Sequence, residues 1–453
     1  MVDVLTQEER RIMAYLQSDA WKRAREHDRL SNYYEGEQRL QHLGIAVPNE
    51  FRDFQVVVNV PRMAVDEPVK RQMLKSFQRA GSAQADAGLR AAWEGNNLDS
   101  QSVLVHRDAR TFGRAFVTVS EDPDDADMPR IQVESPAAFN VVVDPATRRV
   151  SAALRTVQDK YHGTSRTLFL PDQTVQLVHN PLVGWEVAER AEHGLGVVPV
   201  VTFLNRPRSG HFGGTSEMAD VIGMTDSIAR ILTNMQVASE THAVPSRWVA
   251  GISKGDFVGP DGKPLPVWEA YFTAMMATAN KDAKFGQFSA SDLANFHKSV
   301  DALMSYCSAV LGLPVRYFGQ QTVNPAAEGA IRADEARLIT NVEAMNRFDG
   351  DSWVWVMGLY ERFRTGEWTE RNSIRALWEN PATPTLAERA DAMMKLYSQG
   401  VVSREGVWDE MGWDEARKDR EKQYLEAEAS DPLTAQILRD IRRVPADAAA
   451  VGD

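Results

Sequence analysis

VRYFGQQTVNPAAEGAIRADEARL, residues 315–338, is the stretch on which the reading of the whole chain turns. Its second half has the marks of a helix start. Asn324 is a good N-cap, and Pro325 fits the first helical position, where a missing N–H costs nothing. Glu328 sits at the end of the macrodipole that favours an anion. Ile331, Leu338, Val342 and Met345 then recur at helical spacing, and the pattern resumes past Asp349, Gly350 and Asp351 with Trp353, Val356, Tyr360 and Phe363. This predicts a very long helix, bent at Gly350. Before the cap stand Gly319, Gln320, Gln321, Thr322 and Val323, a short polar run led by glycine. From spacing alone, an ordinary hairpin of two helices accounts for such a loop.

Working outward, residues 290–314 predict a helix stopped by Gly312 and Pro314. Residues 215–243 predict another, with Met218, Ile222, Ile228, Leu232 and Met235 near one stripe. At 1.5 Å per residue it would span roughly 40 Å. Between the two, residues 244–289 are rich in Gly and Pro and read as a small module of strands and turns. Upstream, from about residue 113 to 206, β-branched residues and short alternations predict a mostly β unit of about 100 residues. Helices are expected before it, over residues 5–36 with a Thr6/Glu9 capping box, over 60–77 and over 81–96. After the long helix, 385–443 reads as short helices and 444–453 as a flexible tail. The fold class is α+β.

Composition limits the function. The chain has 453 residues, enough for two or three packing units at about 150 residues each. The net charge of −12, with no basic block, argues against tight nucleic-acid binding, which needs Lys and Arg gathered on one face. Cys307 is the single cysteine, so no internal disulfide is expected, which suits a reducing compartment or a particle that does not rely on disulfides. No secretory pattern and no apolar run of about 18 residues is found, so no membrane partner is predicted. The histidines lack zinc spacing, and no metal or cofactor is predicted. The acidic run at 121–129 lacks the glycine a calcium loop needs and reads as a solvated hairpin loop. HFGGTSE, at 211–217, lacks the dinucleotide fingerprint and reads as the cap of a helix starting near Ser216. No hydrolase or NTPase motif occurs, so the chain is not read as an enzyme. Trp248, Trp268, Trp353 and Trp355 suit a core or a subunit interface equally.

Taken in order, YYEGEQRL, GRAFVTV, VESPAAFNVVVDP, VPVVTFLNRPRSGHFGGTSEM, LGLPVRYFG, NPAAEGAIRADEARLI and ERADAMMKL resemble the portal proteins of tailed double-stranded DNA bacteriophages, of the long-tailed type found in phages of actinobacteria. The resemblance runs from about residue 28 to 400 and implies an architecture. Twelve subunits form a ring at one capsid vertex of the virion, assembled in the host cytoplasm. The peripheral wing would be 1–214 with part of the helix after Asn324, which runs on with its connection to 384. The stem would be 215–243 and 290–313, the clip 244–289 and the crown 385–443. Residues 314–323 fall where the family has its tunnel loop, so Gly319, Gln320, Gln321, Thr322, Val323 and Asn324 are expected to face passing DNA, with the tip at Gln320–Thr322. A small polar loop touches DNA without reading bases or holding phosphates. Arg247, Trp248, Lys254 and Trp268 would lie at the clip interface. The implied partners are double-stranded DNA, terminase, the major capsid and scaffolding proteins, and a head-completion or tail adaptor protein.

A size check fits a ring. Twelve helices packed about 8–10 Å apart make a circle roughly 31–38 Å across between axes. Subtracting a helix diameter of about 10 Å leaves a hole of roughly 20–28 Å, enough for a duplex. On the first stem helix, Glu217, Asp220, Asp226 and Glu240 are set against the single basic residue Arg230, which predicts a net negative channel. Two other readings stand beside this one: a monomeric or dimeric α+β adaptor without a channel, and an enzyme using carboxylates of the β unit as an acid–base pair.

Overall fold

Helix α1 (Gln7–Glu35) starts where its capping box places it. Thr6 Oγ1 accepts from the Glu9 N–H at 3.2 Å, and the Glu9 carboxylate accepts from the Thr6 N–H at 2.8 Å. It stops at Gly36, where φ is 77°. The structure is a computed structural model that describes residues 4–40, 56–82, 84–125, 127–159, 163–210, 213–242, 247–251, 284–287, 293–319, 328–370, 373–382, 386–413 and 415–430. It divides into two units, Met1–Pro381 and Ala382–Asp453.

The helix expected over 60–77 is shorter than its sequence pattern. Helix α2 (Val60–Val69) ends in turns closed by Arg71 N–H to Pro68 O and Gln72 N–H to Val69 O, at 3.0 Å each. The chain then becomes strand β1 (Leu74–Arg79), antiparallel to β12 (Ile374–Trp378) with Phe77 opposite Ala376. Pairing across some 300 residues of sequence overrides a locally helix-capable stretch. The helix expected over 81–96 is α3 (Ala87–Gly95), capped by Asp86. A further helix, α4 (Leu98–Phe112), follows at once and has no counterpart in the sequence reading.

The β unit falls where the change of period puts it. Strands β2 (Arg114–Ser120), β3 (Arg130–Glu134) and β9 (Val200–Leu204) form one antiparallel sheet with β2 central. Between them the chain makes a five-stranded meander of β4 (Phe139–Val143), β5 (Val150–Asp159), β6 (Gly163–Phe169), β7 (Gln173–Asn180) and β8 (Gly184–Glu192). The acidic run lies in the β2–β3 connection, where Asp122 pairs with Arg130 at 3.1 Å. Met13 and Leu16 of α1 cover the meander at Leu154, Leu168, Val175 and Leu177. Phe116, Phe139 and Phe169 pack the two sheets together, with ring centroids 5.1 and 5.7 Å apart.

Helix α5 (Ile222–His242) starts later than HFGGTSE suggested, because residues 217–221 form turns. Gly214 is needed for a close approach rather than a cap. Its φ is 68°, and a Cβ there would lie 1.9 Å from the Gly113 carbonyl oxygen. Strands β10 (Arg247–Ala250) and β11 (Lys284–Gln287) pair antiparallel, and α6 (Ala294–Leu311) follows. Helix α7 (Glu328–Thr365) is the predicted long helix, 38 residues without a break at Gly350. The caps expected at Asn324 and Pro325 lie outside the described residues.

Trp353 of α7 resolves one open choice. It is fully buried against Trp93 and Phe203, each 4.8 Å away between centroids, and its Nε1–H donates to His106 Nε2 at 3.0 Å. Trp355 is partly buried and stacks on Trp368 at 5.6 Å. The second unit holds α8 (Leu386–Ser398), α9 (Arg404–Glu410) and α10 (Glu415–Ser430), where Lys422 pairs with Glu405 at 2.9 Å and Trp413 stacks on Trp408.

Candidate functional site

Helices α5 and α6 pack on one another, and their common base is apolar. Val221 and Ile228 meet Cys307 and Leu311, and all of them rest on Leu338 and Val342 of α7 and on Val60 and Ala64 of α2. Removing such side chains from water contributes roughly 1.5–3 kcal/mol each, so the pair is held from below by one core. Between the two helices in sequence, β10 and β11 pair with Arg247 opposite Gln287. Residues 243–246, 252–283 and 288–292, in and beside the expected module, lie outside the described residues.

The chain leaves α6 through a fixed turn. Gly312 ends the helix at φ 67°, and Ser308 Oγ donates to Leu313 O at 2.7 Å. Residues Val315–Phe318 form one 3₁₀ turn, which ends at Gly319 with φ 78°. Tying that turn to α7 is Glu335, a residue the sequence reading passed over. It accepts from Arg71 Nη1 at 3.2 Å and from the Tyr317 hydroxyl at 3.1 Å, and it pairs with Arg316. Arg71 also donates to the Tyr317 oxygen at 2.9 Å and to the Pro381 carbonyl at 3.1 Å. Burial acts to raise the Glu335 carboxyl, but the Arg71 hydrogen bond and charge, with Tyr317 and Arg316, outweigh it and hold the group below its ordinary range. A possible sequence signal was there: Arg316 and the pair Asp334–Glu335 flank the loop with opposite charge.

Of the residues expected at the channel, Gly319 ends the turn, and Gln320, Gln321, Thr322, Val323 and Asn324 lie outside the described residues. Glu217 and Asp220 are not on the stem helix, since α5 starts at Ile222. Glu217 accepts from Asn205 Nδ2 at 2.8 Å, and Asp220 pairs with Arg206 at 2.7 Å. Asp220 thus has a cation outside the helix against it, whereas Glu217 meets the neutral Asn205 amide. Asp226, on α5, accepts from the Tyr33 hydroxyl of α1 at 2.9 Å, and burial together with this bond pushes the phenol up to about 12. Arg230 is exposed on α5. The side chains of Glu240, Arg247 and Trp248, and all of Lys254 and Trp268, lie outside the described residues.

A second polar cluster joins the β unit's entry to the long helix, and it too was missed. Arg110 of α4 and Asp349 of α7 form an ion pair with both side chains 1% exposed. Gln72 bridges them, accepting from Arg110 at 3.2 Å and donating to Asp349 at 2.9 Å. The Arg110 carbonyl accepts from Glu217 N–H at 2.8 Å, so the same residue anchors the approach to α5. In sequence, Asp349 stood next to a glycine and an aspartate and read as an interruption, because nothing local marks a buried partner 239 residues away.

No helix among the described residues is long and apolar enough to cross a membrane. Residues 14–432 match the family model for phage portal protein, SPP1 Gp6-like. The portal protein of Mycobacterium phage L5 is 36% identical over 421 residues, covering 88% of this chain and 85% of that one. The portal protein of Mycobacterium phage D29 is 35% identical over 421 residues, with the same coverage. Among solved structures, a chain of the neck of an empty gene transfer agent (GTA) particle, computed with C6 symmetry, aligns at a TM-score of 0.51 and 13% identity over 86% of this chain and 94% of that one, a likeness of fold. With the family model spanning most of the sequence and both phage relatives above one third identity, the chain belongs to the phage portal proteins of the SPP1 Gp6-like family.

Proposed function

We propose that this portal protein assembles as a twelve-subunit ring at one capsid vertex, through which the genome enters during packaging and leaves on ejection. The observation that carries the reading is the helix pair α5 and α6, seated side by side on α7, with the paired strands β10 and β11 between them in sequence and the 3₁₀ turn Val315–Phe318 after them. Such a pair can repeat around an axis with its helices lining a hole. The family is structural and the chain is not an enzyme, so the work of packaging belongs to a partner ATPase.

In this ring Gly319–Asn324 meet the duplex without base contacts, and Arg247, Trp248, Lys254 and Trp268 face terminase and then the head-completion protein. Capsid and scaffolding proteins contact the outer part. Arg206 neutralises Asp220 inside the subunit, while Glu217 and Asp226 accept from the neutral Asn205 amide and Tyr33 hydroxyl and keep their charge, so a net negative lumen would rest on Glu217, Asp226 and Glu240 against Arg230. The test is single-particle imaging of the purified chain, alone and with its scaffold. Rings of about twelve subunits with a central hole are expected. Compact monomers under both conditions would overturn the reading in favour of an adaptor.

A further inference from the structure

We propose that Glu335 is the positioning residue of the channel loop: it fixes the loop's root and keeps Arg316 from the passing DNA. The inference rests on the ring reading for the loop's role, and on geometry for the rest.

Three donors from two other parts of the chain converge on this carboxylate. Arg71 comes from the α2–β1 connection, and Arg316 and Tyr317 come from the 3₁₀ turn itself. Arg71 and Glu335 have side chains only 12% and 13% exposed, so their attraction is screened little by salt. The neighbouring Asp334 reaches Arg316 only at 3.8 Å and is more exposed, so it is no substitute. The turn is also held from behind, because a Cβ at Gly312 would come within 3.0 Å of Asn341 Nδ2 on α7. At the turn's exit Gly319 has φ 78°, and no described atom lies within 4 Å of where its Cβ would be. The turn closes at Gly319, whose N–H donates to the Arg316 carbonyl at 3.2 Å, and by holding Arg316 and Tyr317 Glu335 holds the root from which residues 320–324 leave.

The charges point the same way. Arg316 is the cation nearest the loop root in sequence, separated from Gln320 by three residues. A free guanidinium there would hold phosphates, and each such contact adds salt-dependent affinity that opposes sliding. Glu335, with Asp334 at 3.8 Å, sets two carboxylates against the Arg71 and Arg316 guanidiniums, so that charge is balanced inside the subunit. Arg71 is further fixed by the Pro381 carbonyl at 3.1 Å and the Tyr317 oxygen at 2.9 Å, whereas Arg316 is the more exposed guanidinium, 34% against 12%, and the one beside the loop.

Two readouts on the full-length chain, in whatever oligomeric state it adopts, test the proposal. Trypsin cleavage after Arg316, followed by mass spectrometry, reports opening of the turn. Glu335→Ala should raise that rate about tenfold or more, in line with loss of charge-assisted bonds, while cleavage elsewhere stays unchanged. Glu335→Asp should bring it back toward wild type. Should Glu335→Ala fail to fold, Tyr317→Phe removes only one oxygen from the cluster and should still speed the cleavage. An unchanged rate in both variants, or a rise at all sites together, overturns the positioning role. The second readout is retention of non-specific duplex DNA against salt. Glu335→Gln should tighten it and steepen the log–log salt dependence by about 0.9, one phosphate contact, and adding Arg316→Gln should cancel the change. Faster cleavage with an unchanged salt slope overturns the masking role if deleting residues 320–323 does alter DNA retention. If that deletion has no effect either, the channel reading has failed and the clamp itself stands.

Discussion

Replacing Asp349 by alanine isolates the buried ion pair that ties α4 to α7. Both side chains are 1% exposed, so the change leaves the Arg110 guanidinium buried, uncompensated, and bonded only through Gln72. Removing one partner of such a pair costs about 3–5 kcal/mol, against about 0–1 kcal/mol for a pair on the surface. Gln72 also loses its 2.9 Å acceptor and keeps only Asn346, at 3.2 Å. Hydrogen exchange read by mass spectrometry on peptides spanning residues 346–356 is the suitable assay. It measures the free energy of local opening and needs no two-state assumption for a chain with two units. At about 1.4 kcal/mol per factor of ten, the expected loss speeds exchange roughly 10²- to 4 × 10³-fold. The double variant Arg110→Met with Asp349→Leu removes both charges and fills similar space, so it should recover most of the protection. An acceleration of less than about fivefold in Asp349→Ala, or a double variant no better than the single one, would refute the reasoning.

Three further outcomes are expected. Burial pushes His106 down to about 4, and burial with the charges of Arg114 and Arg23 does the same to His27. Between pH 6.5 and about 4 the unfolded chain binds more protons at both sites, so stability falls with falling pH, by up to about 3 kcal/mol per histidine. Denaturation midpoints across that range should show the loss, and His27→Leu should flatten it. Gly214→Ala should abolish the native fold or cost several kcal/mol, because it combines a φ of 68° with a contact of 1.9 Å to backbone that cannot give way. Circular dichroism and the soluble yield will show it. Deleting residues 320–323 should leave rings intact under the microscope while impairing DNA packaging or retention, and loss of the ring would make the loop a structural contact instead.

The readable parts of this chain were those whose physics is local. The Thr6/Glu9 capping box acts over three residues, and it marked the start of α1. The stripe from Leu338 through Tyr360 repeats with the helical period, and α7 follows it without a break. The change to β-branched alternation marked the sheets, and the order of motifs pointed to the family.

What the sequence left undecided depends on partners far along the chain. Residues 74–77 look helical until β12, some 300 residues later, offers a strand to pair with. Helix α4 went unnoticed because its buried face includes His106 and Arg110, polar groups that become core only when Trp353 and Asp349 arrive to satisfy them. Asp220 read as a channel acid until Arg206 answered it. Glu335 drew no reading from the sequence, because its role exists only where Arg71, Arg316 and Tyr317 meet on it. Periodicity and capping are properties of neighbours in sequence and can be read there. The cost of burying a charge is settled only by what surrounds it in space, and that was decided by the tertiary structure alone.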